Sequence, residues 1–160
     1  MKTTQYAYLL ISGNDDFSLE VVTQRLGILP TATWKIGDSV QPNNPRNLLE
    51  HSYTGWKYES AALETLETQE VLHPLLEVFQ SKIDIINQLK EELTLDVQME
   101  LVIQIYDGHT PGLVIYPAFS KFLSEINAFL DIDMYAYSYD EPYRNNTHHI
   151  KGSTSKCPFH

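Results

Sequence analysis

The sequence is poor in cysteine and in long apolar runs. Cys157 is its one cysteine, so no intramolecular disulfide can form, which is typical of a reducing compartment. No apolar run approaches the roughly 18 to 20 residues that a membrane-spanning helix needs. The first residues lead straight into a strand-like run and lack the pattern of a signal peptide. These absences predict a soluble, cytoplasmic protein.

Basic residues are also scarce. The chain of 160 residues has 11 Lys plus Arg against 21 Asp plus Glu, which gives a formal net charge of -10. Nucleic-acid phosphates and anionic membrane surfaces are repelled by such a charge unless a local basic patch offsets it, and the sequence contains no such patch. We therefore expect neither nucleic acid nor a membrane as a partner.

Motifs for catalysis and for cofactor binding are missing. The sequence has no Gly-x-Gly-x-x-Gly, no phosphate loop, no His-Glu-x-x-His, no Gly-x-Ser-x-Gly and no Cys-x-x-Cys. Asp131 and Asp133 share one side of a predicted strand, where mutual repulsion would raise one pKa for acid-base catalysis, but two solvated aspartates are the more ordinary interpretation. We predict no catalytic residues and no cofactor, and an enzyme is disfavoured.

The last residues are polar and aperiodic. They contain His148, His149, Cys157 and His160, which are enough donors for a zinc site, but their spacing matches no metal motif. A mobile tail over 142–160 is the favoured interpretation, and no metal site is predicted. The remaining residues, 1–141, are expected to form a single domain.

Hydrophobic periodicity predicts alternating strands and helices. Period-two runs predict strands over 6–11, 52–60, 97–106 and 132–139, with short strands over 31–38 and 113–116. Helical spacing predicts helices over 18–26, 63–93 and 119–130. This order indicates an α+β two-layer sandwich with a mostly antiparallel sheet and helices on one face. Its two strand-helix-strand halves resemble a ferredoxin-like plan, with the long helix inserted between them.

Two tryptophans mark a candidate pocket. Trp34, Lys35 and Asp38 stand around a turn at Gly37, and Trp56 lies in the following strand. Together they could form a small aromatic pocket with polar groups, which would bind a small molecule. Tryptophan is also the usual large core residue, so the alternative is that they only fill the core.

Tyrosines mark a candidate contact surface. Tyr135, Tyr137 and Tyr139 share one side of the last strand, while Ile132 and Met134 share the other. The first strand repeats this arrangement, and its tyrosines would lie on one sheet face with Gln98, Glu100 and Gln104. An amphipathic aromatic face is typical of protein interfaces, whereas tyrosines that merely cover the sheet are the alternative.

Several motifs in order resemble the bacterial family known as domain of unknown function 4279, over roughly residues 5 to 140. They are Leu26-Gly27-Ile28-x-Pro30-Thr31, Lys35-x-Gly37-Asp38, Trp56 with Ser60, Pro111-Gly112-Leu113 and Leu130-Asp131-Ile132-Asp133-Met134-Tyr135. The resemblance carries over no activity and no catalytic residue. Some small acidic proteins of this kind lie beside toxin genes as immunity proteins.

Two functions remain open from the sequence. The first is a non-catalytic module that binds a protein partner or itself, with neutralisation of a basic toxin as one form. The second is a small-molecule binder or weak enzyme that uses the pocket near the two tryptophans.

Overall fold

A computed structural model describes residues 2–44, 46 and 48–137 of the chain. The predicted tail over 142–160, with its histidines and cysteine, lies outside the described residues, and so does Tyr139.

Strands and helices alternate along most of the chain. The strands are β1 (Thr4–Gly13), β2 (Ala32–Trp34), β3 (Thr54–Glu59), β4 (Leu63–Glu64), β5 (Asp96–Tyr106) and β6 (Leu130–Tyr137). The helices are α1 (Leu19–Leu26), α2 (Gln69–Phe79), α3 (Ile83–Leu93) and α4 (Pro117–Glu125). Helix α1 begins where predicted, because the Ser18 side chain accepts a hydrogen bond from the Val21 N–H, and it ends at Gly27 in the left-handed conformation.

The strands form one six-stranded sheet in the order β2-β3-β1-β5-β6, and the short β4 also pairs with β1. All neighbours are antiparallel except β5 and β6, which are parallel. The predicted α+β two-layer sandwich with a mostly antiparallel sheet is therefore confirmed.

The strand order differs from that of ferredoxin-like halves. A split β-α-β unit places its two strands parallel with another strand between them, whereas β1 and β3 are direct antiparallel neighbours. The second half is a plain β-α-β unit, since β5 and β6 lie side by side across the α4 crossover. The sequence pattern is the same for both arrangements, and only the strand pairing distinguishes them.

The four helices of the described residues cover the same face of the sheet. Their buried side chains join one core cluster with the inward-facing residues of β1 and β5, which include Leu9, Ile11, Leu101 and Ile103. Because side chains alternate along a strand, the other residues of β1 and β5 lie on the opposite face. We call this opposite side the open face.

The predicted long helix over 63–93 is two helices. A single 3-10 turn over Gln80–Lys82 separates α2 from α3, and Pro74 lies within α2. The first predicted residues do not join the helix, because Leu63 and Glu64 pair with β1. Gln5 of β1 is fully buried and links this strand to the start of α2. Its amide oxygen accepts a hydrogen bond at 3.1 Å from the hydroxyl of Thr68, the residue that precedes α2.

The predicted strand over 113–116 is wrong. This segment leads into α4, whose N-terminus follows Tyr116, and only Gly112 before it makes a bridge, to Glu67. The edge position beside β5 is taken by β6, so 113–116 has no strand partner among the described residues.

Phe79 joins the helical layer to the sheet. Its ring is fully buried and meets the rings of Trp56 and Tyr58 edge to face, with centroids 6.4 and 5.4 Å apart. We expect Phe79→Ala to lower the free energy of unfolding by about 3 to 5 kcal/mol, because it leaves a cavity in the core. Urea denaturation measures this loss. Leu29→Ala, at a side chain that is 80% exposed, is the control and should change it by less than about 0.5 kcal/mol.

Candidate functional site

The open face carries a mixture of tyrosines and charged side chains. Strand alternation and the pairing registers assign the following residues to it: Trp34 of β2; Gly55, Lys57 and Glu59 of β3; Tyr6, Tyr8 and Leu10 of β1; Gln98, Glu100, Val102, Gln104 and Tyr106 of β5; Asp131, Asp133, Tyr135 and Tyr137 of β6. No helix of the described chain packs on this side, and most of these side chains are half-buried or exposed.

Glu100 lies at the centre of the open face. It stands opposite Tyr8 in the β1–β5 ladder and opposite Asp131 in the β5–β6 ladder. Burial is the main cause that raises the pKa of Glu100, and Asp133 and Asp131 raise it further. A hydrogen bond with Tyr8 opposes these effects and stabilises the carboxylate. The centre of the face is therefore a carboxylate with acidic neighbours and little positive charge to compensate them.

The surrounding tyrosines act as neutral hydrogen-bond donors. The pKa values of Tyr6, Tyr8, Tyr53 and Tyr135 are all raised above the ordinary phenol value, with burial as the first cause in each case. Glu100 contributes to all four shifts, because a phenolate beside it would be repelled. These hydroxyls therefore remain protonated at neutral pH.

Lys57 is a cation beside this cluster. Its ammonium lies 5.0 Å from the centroid of the Tyr8 ring and forms an ion pair with Glu59 at 2.8 Å. Because Glu59 already balances Lys57, the carboxylates of Glu100, Asp131 and Asp133 leave the open face negative.

The two tryptophans do not form a shared pocket, contrary to the arrangement expected from the sequence. Trp56 is fully buried on the helical side of the sheet, and its indole N–H donates to the Thr23 hydroxyl at 2.9 Å. Trp34 lies on the open face, because it pairs with Gly55 and not with Trp56 in the β2–β3 ladder. Neighbouring positions on a strand point to opposite faces, so the sheet itself separates the two indoles.

Trp34 packs in an aromatic group at the β2 end of the open face. Its ring stacks on His51 with centroids 5.0 Å apart and meets Tyr53 edge to face at 5.7 Å. The same ring lies directly over the backbone of Gly55, where any Cβ would stand 2.4 Å from it. Glycine at position 55 is therefore required by the close approach of the indole.

Lys35 and Asp38 shape the turn after β2 and do not line a pocket with Trp56. The Asp38 carboxylate accepts a hydrogen bond from the Lys35 backbone N–H at 2.8 Å, around Gly37 with its φ of 89°. The exposed Lys35 ammonium lies 3.2 Å from a carboxylate oxygen of Asp16. Both residues have a structural explanation in the turn.

Tyr135 and Tyr137 lie on the open face with 48% and 45% of their surface exposed. Both side chains are accessible, as a contact surface requires, and the predicted separation from Ile132 and Met134 on the other side of β6 is confirmed. Tyr137 stacks on Tyr106 of β5, with ring centroids 4.9 Å apart and planes inclined by 13°. Their part in a contact surface stays a prediction.

Sequence reasoning placed Glu100 on the tyrosine face but did not identify it as the central group. Its importance comes from Tyr8 on one side and Asp131 and Asp133 on the other, and these contacts depend on the registers of two ladders. His51 and Tyr53 complete the Trp34 group, and sequence reasoning missed both. His51 lies in a loop without any periodic pattern, and Tyr53 falls in the strand predicted over 52–60 but immediately precedes β3 in the structure.

Two general features of the described residues concern metal ions and membranes. Within them, no group of three or more His, Cys, Asp or Glu side chains is arranged to hold a metal ion. None of their helices combines the length and apolar character that a membrane crossing needs.

The fold and the open face define a small acidic α+β protein with one helix-covered sheet face and one tyrosine-lined face. The chain belongs to the family described as Domain of unknown function (DUF4279), whose model matches residues 2–137. Comparison with curated proteins finds no match, and comparison with solved structures finds none either.

The contact between Gly55 and Trp34 can be tested by a double-mutant cycle. Gly55→Ala should lower the free energy of unfolding by about 1 to 3 kcal/mol, because the new methyl group overlaps the indole. Trp34→Ala removes that overlap, so the double variant should be more stable than the two single losses predict. Urea denaturation of all four proteins measures the coupling. Additive losses would show that the indole does not occupy this position.

The pKa of Glu100 makes stability depend on pH. A raised pKa in the folded protein means that stability falls as pH rises from the ordinary carboxyl range through the raised value. Glu100→Gln should therefore raise the free energy of unfolding at pH 7 by a few tenths to about 1 kcal/mol, a range reduced for the solvent exposure of the site. The gain should vanish near pH 3, where both side chains are neutral.

Urea denaturation at both pH values measures this effect, with Glu91→Gln on an exposed part of α3 as the control. A loss of stability at pH 7 would mean that the hydrogen bond from Tyr8 outweighs burial and the acidic neighbours.

Proposed function

We propose that this protein is a non-catalytic protein-binding module whose open face captures a basic partner. The face combines the aromatic side chains that are enriched in interfaces with a surplus of carboxylates. The formal net charge of -10 adds long-range attraction for a positively charged protein.

The observation that carries the proposal is the environment of Glu100. Its carboxylate is half-buried, has Asp131 and Asp133 as neighbours and receives a compensating hydrogen bond from Tyr8. An ammonium or guanidinium group from a partner would relieve the mutual repulsion, lower the pKa of Glu100 and pack against the tyrosine rings. A basic side chain is therefore complementary to this position in charge.

The same features disfavour the other classes of partner. Single-stranded nucleic acid also stacks on aromatic sheet faces, but it needs Lys and Arg beside the rings, and Lys57 is already paired with Glu59. The alternative of a small-molecule pocket between the tryptophans loses its geometric basis, because Trp34 and Trp56 lie on opposite faces.

Neutralisation of a basic toxin is a special case of this proposal, in which the toxin is the partner and its basic surface covers Glu100. We expect this chain to bind its basic partner, whether a toxin or another protein, in the cytoplasm. Steering by charge would make the association rate fall as salt is added.

The proposal can be tested with decalysine as a basic probe and isotope-labelled protein in low salt. We expect chemical-shift changes at the open-face amides of β1, β5 and β6, and little change on the helices. The double variant Glu100→Gln/Asp133→Asn should weaken binding by about three- to tenfold, and 0.5 M salt should nearly abolish it.

A matched double variant on the helical layer separates local recognition from net charge. Asp84→Asn/Glu91→Gln also removes two negative charges, but from exposed positions of α3. It should change the affinity by less than about twofold. Equal losses for the two double variants, or shifts centred on the helices, would overturn the assignment of the open face.

A further inference from the structure

The outer edge of β6 is a second surface with pairing capacity. β6 is the last strand in the sheet order, and within the described residues no strand lies beyond it. On its inner side the Met99 N–H donates to the Phe129 carbonyl at 3.0 Å. In a parallel ladder, every second residue of a strand directs both its N–H and its C=O group toward the same neighbouring strand. Because Phe129 faces β5, residues 131, 133, 135 and 137 also direct these groups toward β5. The groups of residues 130, 132, 134 and 136 therefore point outward.

This edge has few of the features that normally block strand pairing. Leu130–Tyr137 contains no proline, lysine or arginine, and the strand is long enough for a regular ladder. Met134 lies at its middle and is 53% exposed. The charges of the strand are Asp131 and Asp133, which lie on the open face and not in the plane of the edge.

We propose that β6 pairs antiparallel with β6 of a second copy of this chain, about a two-fold axis at Met134, so that the two sheets become continuous. A two-fold axis that relates two adjacent antiparallel strands is perpendicular to the plane of the sheet. The side chains of two residues that face each other across this axis therefore lie on the same side of the combined sheet. The outward groups of residues 132, 134 and 136 meet their counterparts, and the two open faces lie on the same side.

The two aspartates disfavour two of the possible registers. An axis at Asp133 would place the two copies of that carboxylate opposite each other, and an axis at Ile132 would place Asp131 opposite Asp133. Like charges that face each other across a ladder are destabilising. An axis at Met134 instead places Asp133 opposite Tyr135 and Asp131 opposite Tyr137, where the phenol hydroxyls can donate to the carboxylates. The strand is therefore complementary to itself in this register.

Self-pairing at the edge does not depend on the proposed binding of a basic partner at the open face. The effect of added salt on affinity distinguishes the two kinds of association. Each copy carries a formal charge of -10, so two copies repel and added salt should strengthen their association. Capture of a basic partner has the opposite dependence.

Proline substitution provides the test, because it removes a backbone N–H at a chosen position. Met134→Pro deletes an outward N–H and leaves the ladder with β5 intact, which is the way edge strands tolerate proline. Since residue 134 faces itself across the axis, one substitution removes two hydrogen bonds from each dimer. Sedimentation equilibrium of the full chain, from micromolar to millimolar in 0.5 M salt, should show a dimer that Met134→Pro weakens about tenfold or more. Met134→Val keeps the N–H and should remain dimeric.

The unfolding temperature shows whether the proline variant keeps its fold. Tyr135→Pro removes an N–H bonded to β5 and should lower that temperature, whereas Met134→Pro should leave it nearly unchanged. If Met134→Pro fails to fold, amide exchange of the wild-type protein decides instead. The amides of residues 132, 134 and 136 should become protected as concentration rises, and those of 131, 133 and 135 should be protected throughout.

Three results would overturn the proposal. One is a wild-type protein that stays monomeric over the whole concentration range. Another is a dimer that persists in a folded Met134→Pro variant, which would place the interface elsewhere. The third is protection of the outward amides that does not depend on concentration, which would mean that residues 138–160 of the same chain cover the edge.

Discussion

The antiparallel pairing of β1 with β5 is the constraint on which the rest of the structure depends. The two strands run side by side from Thr4 opposite Gln104 to Ser12 opposite Asp96. This register assigns every side chain of both strands to one of two faces, because a shift by one residue would exchange the faces completely. The helices can cover only the face that carries Leu9, Ile11, Leu101 and Ile103. The opposite face is left for the tyrosines and Glu100.

The open face illustrates how burial and charge interact on a sheet without a helical cover. Neighbouring side chains shield Glu100 enough to raise its pKa, yet the site stays close to solvent and to potential partners. Tyr8 supplies a hydrogen bond without positive charge, and Lys57 is already balanced by Glu59. The face therefore keeps negative charge that no neighbouring cation balances, and this charge is the electrostatic basis of the proposed binding of a basic protein.

The edge of the sheet and its open face offer different kinds of recognition. The edge presents backbone groups in a regular pattern, so in the proposed dimer the affinity would depend little on side-chain chemistry, while Asp131 and Asp133 would disfavour the registers that bring them face to face. The open face presents side chains only, so its specificity depends on charge and ring geometry. β6 contributes to both, because its odd-numbered side chains from Asp131 to Tyr137 lie on the open face while the backbone of residues 132, 134 and 136 points to the edge.

The sequence by itself determined most of the elements and the face to which most side chains belong. Period-two alternation in β5 and β6, helical spacing in α4 and the turn at Gly37 each follow from local backbone geometry, which a short window of sequence encodes. The α+β class and the common face of Tyr135 and Tyr137 follow from these patterns. The tertiary structure decided which strands are neighbours, and with that the separation of Trp34 from Trp56, the loss of the strand expected over 113–116 and the central position of Glu100. Strand order and register arise from contacts between residues that are distant in the chain, such as Tyr8 with Glu100, and no local pattern specifies a partner at that distance.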